Sequence, residues 1–280
     1  MYHLQVMTAI LGFTCNDSVL MMADTEETTS QYTKSSSDKL YRFNSPIGTV
    51  ITGGAGDADL IDCANQELHD FFATGMPGTH DKKVTNKLIL DGLNKFAKTL
   101  FSETTKVYAT AGLDPLPEAE FLIAVNCLKQ QTLLFKLTRN KVRWIPTSRH
   151  ECIGSALWQL HPMLRDFEFI TTKETALFCG IRMMNQAKRI IQGVGGKTEA
   201  MALMNDGATH IYGTANTALI EALVANFDEY LGKFVYTSVS NVSKEFTEID
   251  ENCEKHFQEV PNILKQYRDR YKELLDKPIL

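Results

Sequence analysis

Residues 8–57 read TAILGFTCNDSVLMMADTEETTSQYTKSSSDKLYRFNSPIGTVITGGAGD, and the fold is decided in this stretch. Two apolar runs, Thr8–Cys15 and Ser18–Ala23, flank the turn residues Asn16 and Asp17. That is the pattern of a β-hairpin. Asp24 closes the second run. A polar loop follows, and Lys39 stands immediately before a short apolar run, Leu40–Phe43. Gly48–Thr52 predicts a further strand, which runs into a glycine turn, Gly53-Gly54-Ala55-Gly56. Asp57 is placed to cap the helix that the next residues predict.

The stretch holds a hydroxyl, a carboxylate, an ammonium and a set of glycine amides. A threonine hydroxyl is a weak nucleophile until a base takes its proton. The free α-amine of a first-residue threonine can be that base. A lysine ammonium tethered by an aspartate favours the deprotonated hydroxyl by its charge. Backbone N–H groups at a glycine turn can receive a developing oxyanion. Thr8, Asp24, Lys39 and Gly53 supply these residue types in that order.

The same order resembles the β-subunits of the proteasome, within the N-terminal-nucleophile (Ntn) hydrolases, and most of all a bacterial proteasome-related type. Thr8-Ala-Ile-Leu-Gly-Phe resembles the family's first strand, Val19–Asp24 the strand ending in its aspartate, and Asp38-Lys39-Leu-Tyr-Arg-Phe the strand led by its lysine. Thr52–Asp57 resembles its glycine turn. The Thr8–Asp24 and Lys39–Asp57 separations match the family pattern, while the intervening loop is slightly shorter. Ser155, in Gly154-Ser155-Ala156, resembles a serine that the family places near the nucleophile. One departure stands out. Where the family has an aspartate and, three residues later, a serine before Gly-Gly, this chain has Ile191 and Val194. The resemblance implies a four-layer αββα sandwich, catalytic roles for Thr8, Asp24, Lys39, Gly53 and Ser155, and no cofactor. It also implies a peptide or protein substrate and a homo-oligomeric ring. It identifies no ATPase or other regulator.

Composition is compatible with this. The chain has 280 residues, 44% hydrophobic and 22% charged, with net charge -5. An acidic balance with no basic stripe argues against nucleic acid as partner. The six cysteines, at 15, 63, 127, 152, 179 and 253, form no C-x-x-C pair, and several lie in apolar runs. That predicts free thiols in a reducing compartment. The histidines show no metal spacing. No apolar run has the length of a membrane span. Val6–Cys15 lacks a basic residue before it, so it reads as a strand rather than a signal sequence, and a cytoplasmic protein is expected. Gly193–Thr198 imitates the end of a P-loop, but the first required glycine falls at Ile191 and the strand–helix order is reversed.

Beyond Asp57 the expected order is two helices (Ala58–Thr74, Lys82–Phe101) and three strands (Glu120–Cys127, Thr132–Thr138, Lys141–Pro146). Two more helices follow (from Gly154 to about Phe167, and Lys173–Gln192), then a hairpin of Glu199–Met204 and Thr209–Tyr212 turning at Asn205-Asp206-Gly207. Strands, helices, strands, helices, strands is an α+β order that two stacked sheets between helix layers satisfy. Residues 1–7 read as an extension, 8–212 as the Ntn-type domain and 213–280 as a mainly helical extension. In that extension Thr214–Leu231 predicts a helix, Phe234–Val242 alternates as a strand would, and Asp250–Asp276 predicts a helix interrupted at Pro261. A stripe of Ile263, Leu264, Tyr267, Tyr271 and Leu274 favours docking on the chain's own body.

Thr8 is not the first residue, and an amide nitrogen cannot serve as base. Met7, not glycine, precedes it, so release after a glycine is not the expected route. Translation from Met7 followed by methionine removal would expose Thr8 directly. Three readings follow: a threonine peptidase or amidohydrolase, a non-catalytic scaffold subunit that keeps its extension, and an acyl-transfer or peptide-ligating enzyme using the same nucleophile.

Overall fold

The computed structural model describes residues 8–28, 34–74, 86–112, 117–127, 131–139, 141–155, 157–165, 170–191, 193–242 and 251–275. Residues 1–7, Lys82–Thr85 and the expected Asn140 turn lie outside them.

The first hairpin forms as the sequence predicts: β1 (Ile10–Thr14) pairs antiparallel with β2 (Ser18–Asp24), Ile10 opposite Ala23. Both strands are buried along their whole length. The polar loop after Asp24 holds a small antiparallel pair, β3 (Glu26–Thr28) with β4 (Lys34–Ser36). It lacks the apolar face by which a strand is read from sequence. β5 (Leu40–Ser45) and β6 (Gly48–Gly56) pair in turn. β6 runs to Gly56, so Gly53 and Gly54 lie within a strand rather than in a turn, and the expectation of a glycine turn there is corrected. The glycine with left-handed backbone is Gly56, at φ +129.

Helix α1 (Ala58–Ala73) begins at Asp57, whose side chain accepts from the amide of Leu60 at 2.9 Å. Helix α2 (Asn86–Ala111) extends ten residues past the expected end, through a segment whose last turns are largely exposed and so lack the apolar stripe. β7 (Ala119–Cys127), β8 (Gln131–Thr138) and β9 (Lys141–Ile145) complete a sheet in the order β5-β6-β7-β8-β9. A fourth strand, β10 (His150–Ile153), was not expected and pairs with β1. Helices α3 (Leu157–Arg165) and α4 (Lys173–Ile190) follow, then β11 (Thr198–Met204) and β12 (Thr209–Tyr212). The other sheet therefore has the order β10-β1-β2-β11-β12 and draws strands from both ends of the chain.

Three apolar clusters define the four layers. Leu68, Phe72, Leu93 and Phe101 of α1 and α2 pack on Phe121, Phe135 and their neighbours in the β5–β9 sheet. Ile10, Met21, Ile51, Leu122 and Leu134 fill the space between the sheets. Leu11, Phe13 and Met22 pack against Leu177, Ile181 and Met184 of α4 on the far side. This is the αββα sandwich, each helix face and sheet face covered by the next layer.

The C-terminal segment departs from expectation in two places. Helix α5 spans Thr214–Val242, so Phe234–Val242 is helical and not a strand. Its first half is anchored by buried Ile220 and Val224, and extending an existing helix costs less than nucleating a new element. Helix α6 (Glu251–Leu275) continues through Pro261. Proline removes one backbone hydrogen bond there, and docking offsets the loss. Tyr267 meets Phe227 edge-on, and Tyr271 meets Phe178. The Tyr271 hydroxyl donates to the Glu174 carbonyl at 2.6 Å, and Leu274 is buried. The aromatic stripe thus lies on the chain's own body.

Candidate active site

Thr8 lies two residues before β1, and Asp24 ends β2, the strand paired with it. The antiparallel register therefore brings the two residues to the same end of the hairpin. Lys39 arrives from the other sheet, one residue before β5. The three side chains meet between the layers, with Thr8 2%, Asp24 0% and Lys39 8% exposed.

Lys39 has an ammonium's three N–H bonds and three oxygens within reach. Its Nζ lies 3.0 Å from Asp24 Oδ1, 3.2 Å from Thr8 Oγ1 and 2.6 Å from the Glu26 carbonyl. Asp24 is held as fully. Oδ1 also accepts from the Ala9 amide at 2.9 Å, and Oδ2 from the Gly195 amide at 3.2 Å. Burial pushes the Asp24 carboxyl above its ordinary range; Lys39 and the two amides oppose that push. Buried charges in native proteins are paired and hydrogen-bonded in this way, because an isolated one would cost several kcal/mol, on the order of 5. The threonine hydroxyl is the neutral member of the set.

Ser155 is also present. Its Oγ accepts from the Thr8 backbone N–H at 3.2 Å. Gly154, just before it, has φ +91, and a Cβ there would stand 2.1 Å from the Thr8 carbonyl oxygen. Only glycine allows the β10–α3 connection to pass this close to Thr8. Gly53 sits on β6 opposite Leu40 and Leu122, against the side chains of Leu40 and Ile10.

Ile191 and Val194, where a carboxylate and a hydroxyl were looked for, are core residues under α4, 8% and 4% exposed. The next residue, Gly195, supplies a backbone N–H to Asp24. A Cβ on it would come within 2.5 Å of Glu26 Oε2, so a larger residue there would displace the Glu26 carboxylate. Sequence reasoning passed over Gly195 as a donor, and it missed Glu199 altogether. Glu199 is 7% exposed, and its Oε1 accepts from the amides of Lys39 at 2.5 Å and Leu40 at 2.9 Å. The available signal was a carboxylate inside an otherwise apolar strand, Thr198–Met204.

Burial raises the thiols of Cys15 and Cys127 to about 12 and that of Cys179 to about 11, so none of these offers a thiolate nucleophile at neutral pH. Among the described residues no three His, Cys, Asp or Glu side chains converge as a metal requires, and no helix is long and apolar enough to cross a membrane.

Comparison with known proteins agrees with this architecture. The proteasome subunit family matches residues 7–91, the segment that carries Thr8, Asp24, Lys39 and Gly53. A search of curated proteins gave no match. Among solved structures, the chain is similar to Anbu (ancestral beta-subunit) from Yersinia bercovieri, with TM-score 0.61 and 14% identity, covering 81% of this chain and 97% of that one. It is similar to the subunit in a helical assembly of the Anbu complex from Pseudomonas aeruginosa, with TM-score 0.64 and 14% identity over 82% and 96%. A Gly-1 mutant of Anbu from Hyphomicrobium sp. strain MC1 aligns with TM-score 0.62 and 11% identity over 83% and 99%. Residues 7–91 thus match the proteasome subunit family, and the chain as a whole shares the fold of these proteasome-related subunits.

Proposed function

We propose that this chain is a threonine hydrolase that cleaves peptide or other amide bonds through Thr8, once Thr8 is the first residue, and that it works as a homo-oligomer. One observation carries the reading: a buried ammonium, fixed by a buried carboxylate, lies 3.2 Å from the Thr8 hydroxyl oxygen.

The chemistry follows from that placement. The freed α-amine of Thr8, beside Ser155 Oγ, takes the hydroxyl proton directly or through a water. The Lys39 charge lowers the energy of the resulting alkoxide. The oxygen attacks the amide carbonyl carbon. The carbonyl electrons move onto oxygen, which the Gly53 N–H receives, a donor typically worth about 3 kcal/mol in the transition state. Collapse of the tetrahedral species breaks the C–N bond and returns the proton to the leaving amine. Water then cleaves the Thr8 ester by the reverse use of the same groups. Of the neighbours, the Pseudomonas protein is described as a helical assembly. The long apolar-rich helices α1 and α2 are the surfaces we assign to subunit contacts.

The test compares a chain begun at Met7, with methionine removal verified by intact mass, with the full chain. The processed chain is expected to hydrolyse small fluorogenic peptides and to take up a β-lactone on Thr8. Thr8→Ala is expected to do neither, and the full chain is expected to be silent unless processed. If the verified processed chain neither cleaves nor labels, the hydrolase reading fails and a scaffold subunit is the better account. Transfer of the acyl group to an added amine in preference to water would assign ligation instead.

A further inference from the structure

The buried carboxylate of Glu199 has no part in the chemistry above, yet it touches the segment that delivers Lys39. β11 lies in the sheet of β1 and β2, with Glu199 opposite Ala23 and Thr198 opposite Asp24. Lys39 and Leu40 open a strand of the other sheet. One carboxylate oxygen, Oε1, spans the gap and accepts both amides. It is the tie between the two sheets at the residue whose side chain must reach Thr8.

We infer that Glu199 is a positioning residue: its carboxylate fixes the backbone of Lys39 so that the ammonium stands between Asp24 and Thr8, and proton uptake by Glu199 loosens that hold. Its consequence for catalysis rests on the threonine-hydrolase reading; the structural part does not.

Among the described residues, the following groups face Glu199. From the segment entering β5, Lys39 favours its charged form and Asp38 opposes it. Tyr41, further along β5, lies within its field. On the far side of β11, Lys188 of α4 and Glu221 of α5 pair with each other at 2.6 Å beside Thr198. Burial is the dominant influence and pushes the Glu199 carboxyl to about 7, while the two amides lower it. Those opposing influences belong to different events. Detaching the two amides while Glu199 stays between the sheets removes what lowers it, so the detached form holds a proton more tightly. Acid therefore weakens the tie. Charge-assisted hydrogen bonds are roughly twice as strong as neutral ones, which sets the size of the effect.

The experiment is hydrogen exchange of the full chain at pH 6 and pH 8, followed by mass in the peptide covering residues 37–45 and corrected for intrinsic exchange. In the wild type the Lys39 and Leu40 amides are expected to exchange roughly tenfold faster at pH 6 than at pH 8, the change that a loss of about 1.4 kcal/mol produces. Glu199→Gln, the neutral isostere, is expected to exchange at the faster rate at both pH values. Glu199→Ala leaves both amides without an acceptor and is expected to be faster still. In the processed chain, the acid limb of the β-lactone labelling rate should narrow in Glu199→Gln to the single titration of the Thr8 α-amine. Protection unchanged in a folded Glu199→Gln, or protection that still varies with pH in it, overturns the inference. If exchange behaves as expected while nothing labels Thr8, the positioning role stands and the hydrolase reading falls. If labelling occurs with unaltered exchange and an unaltered acid limb, the reverse holds.

Discussion

Two buried lysines cross the space between the sheets, and they end differently. Lys39 and Lys136 have equally buried side chains, each 9% exposed. Lys136, on β8, sits 3.4 Å from Glu151 and 3.6 Å from Glu120 and donates to the Cys152 carbonyl at 3.2 Å. Arg143 also holds Glu151. Two cations and two anions are thereby closed on one another. Lys39 faces one carboxylate, already taken up by two backbone amides, one carbonyl and one neutral hydroxyl. Burial of a lysine does not distinguish the two clusters. The hydroxyl among the acceptors of Lys39 does, because it is an oxygen on which negative charge can develop beside a fixed positive one.

The comparison is broken most directly by removing each charge in turn. In the processed chain Lys39→Met is expected to lower peptide hydrolysis at least about a thousandfold, and Lys136→Met to leave it within about twofold. Stability should separate them as well. Lys39→Met strands Asp24 without its counter-ion and should cost about 4 kcal/mol, whereas Glu151 keeps Arg143 after Lys136→Met and the cost should be about 1 kcal/mol. Urea unfolding midpoints check both, and equal losses in the two variants would remove the distinction.

Gly154→Ala sharpens the same contrast without touching a charge. The added methyl meets the Thr8 carbonyl oxygen and asks alanine to adopt φ +91. We expect about 3 kcal/mol of destabilisation and slower labelling of Thr8, with the Lys136 cluster undisturbed by exchange measurements.

A further expected effect concerns pH and the whole fold. The folded state raises Glu199 from 4.5 to about 7, so it binds that proton more tightly than the unfolded chain does. The associated stability is complete below about pH 4.5 and is lost as pH rises through 7. Its sign is opposite to that of the local tie, because global unfolding solvates the carboxyl and local release does not. Between pH 5 and pH 8 the wild type should lose about 2 kcal/mol relative to Glu199→Gln in urea titrations. A constant gap would show that Glu199 does not titrate in this window.

Strands with an apolar period and helices with a stripe were legible in the sequence, and so was the meeting of Thr8 and Asp24, because a hairpin register brings its two ends together whatever surrounds them. Lys39, which comes from the other sheet, was legible only through the family resemblance. What was not legible depended on neighbours far along the chain. β10 has four residues and is defined by its partner β1. Phe234–Val242 has a strand's composition, but it continues a helix already anchored upstream. Glycines 53 and 54 look the same in a turn and in a strand packed against Ile10 and Ile61. Gly195 acts through its backbone, which carries no residue-type signature. Ile191 and Val194 showed which side chains are missing without showing that both pack in the core under α4.

Asp24 is completed by an amide 171 residues further along the chain, and the tie on Lys39 comes from 160 residues away. Such contacts form late, since distant segments must first be brought together against the entropy of the intervening loop. During synthesis, at about 5–20 residues per second, roughly ten to forty seconds separate the emergence of Thr8 from that of β11. Over that interval the first hairpin can fold on a growing chain without its carboxylate fully bonded or its lysine fixed. The polar centre therefore switches on with the last strands of the sandwich, and a nascent or truncated chain carries the three side chains but not the arrangement.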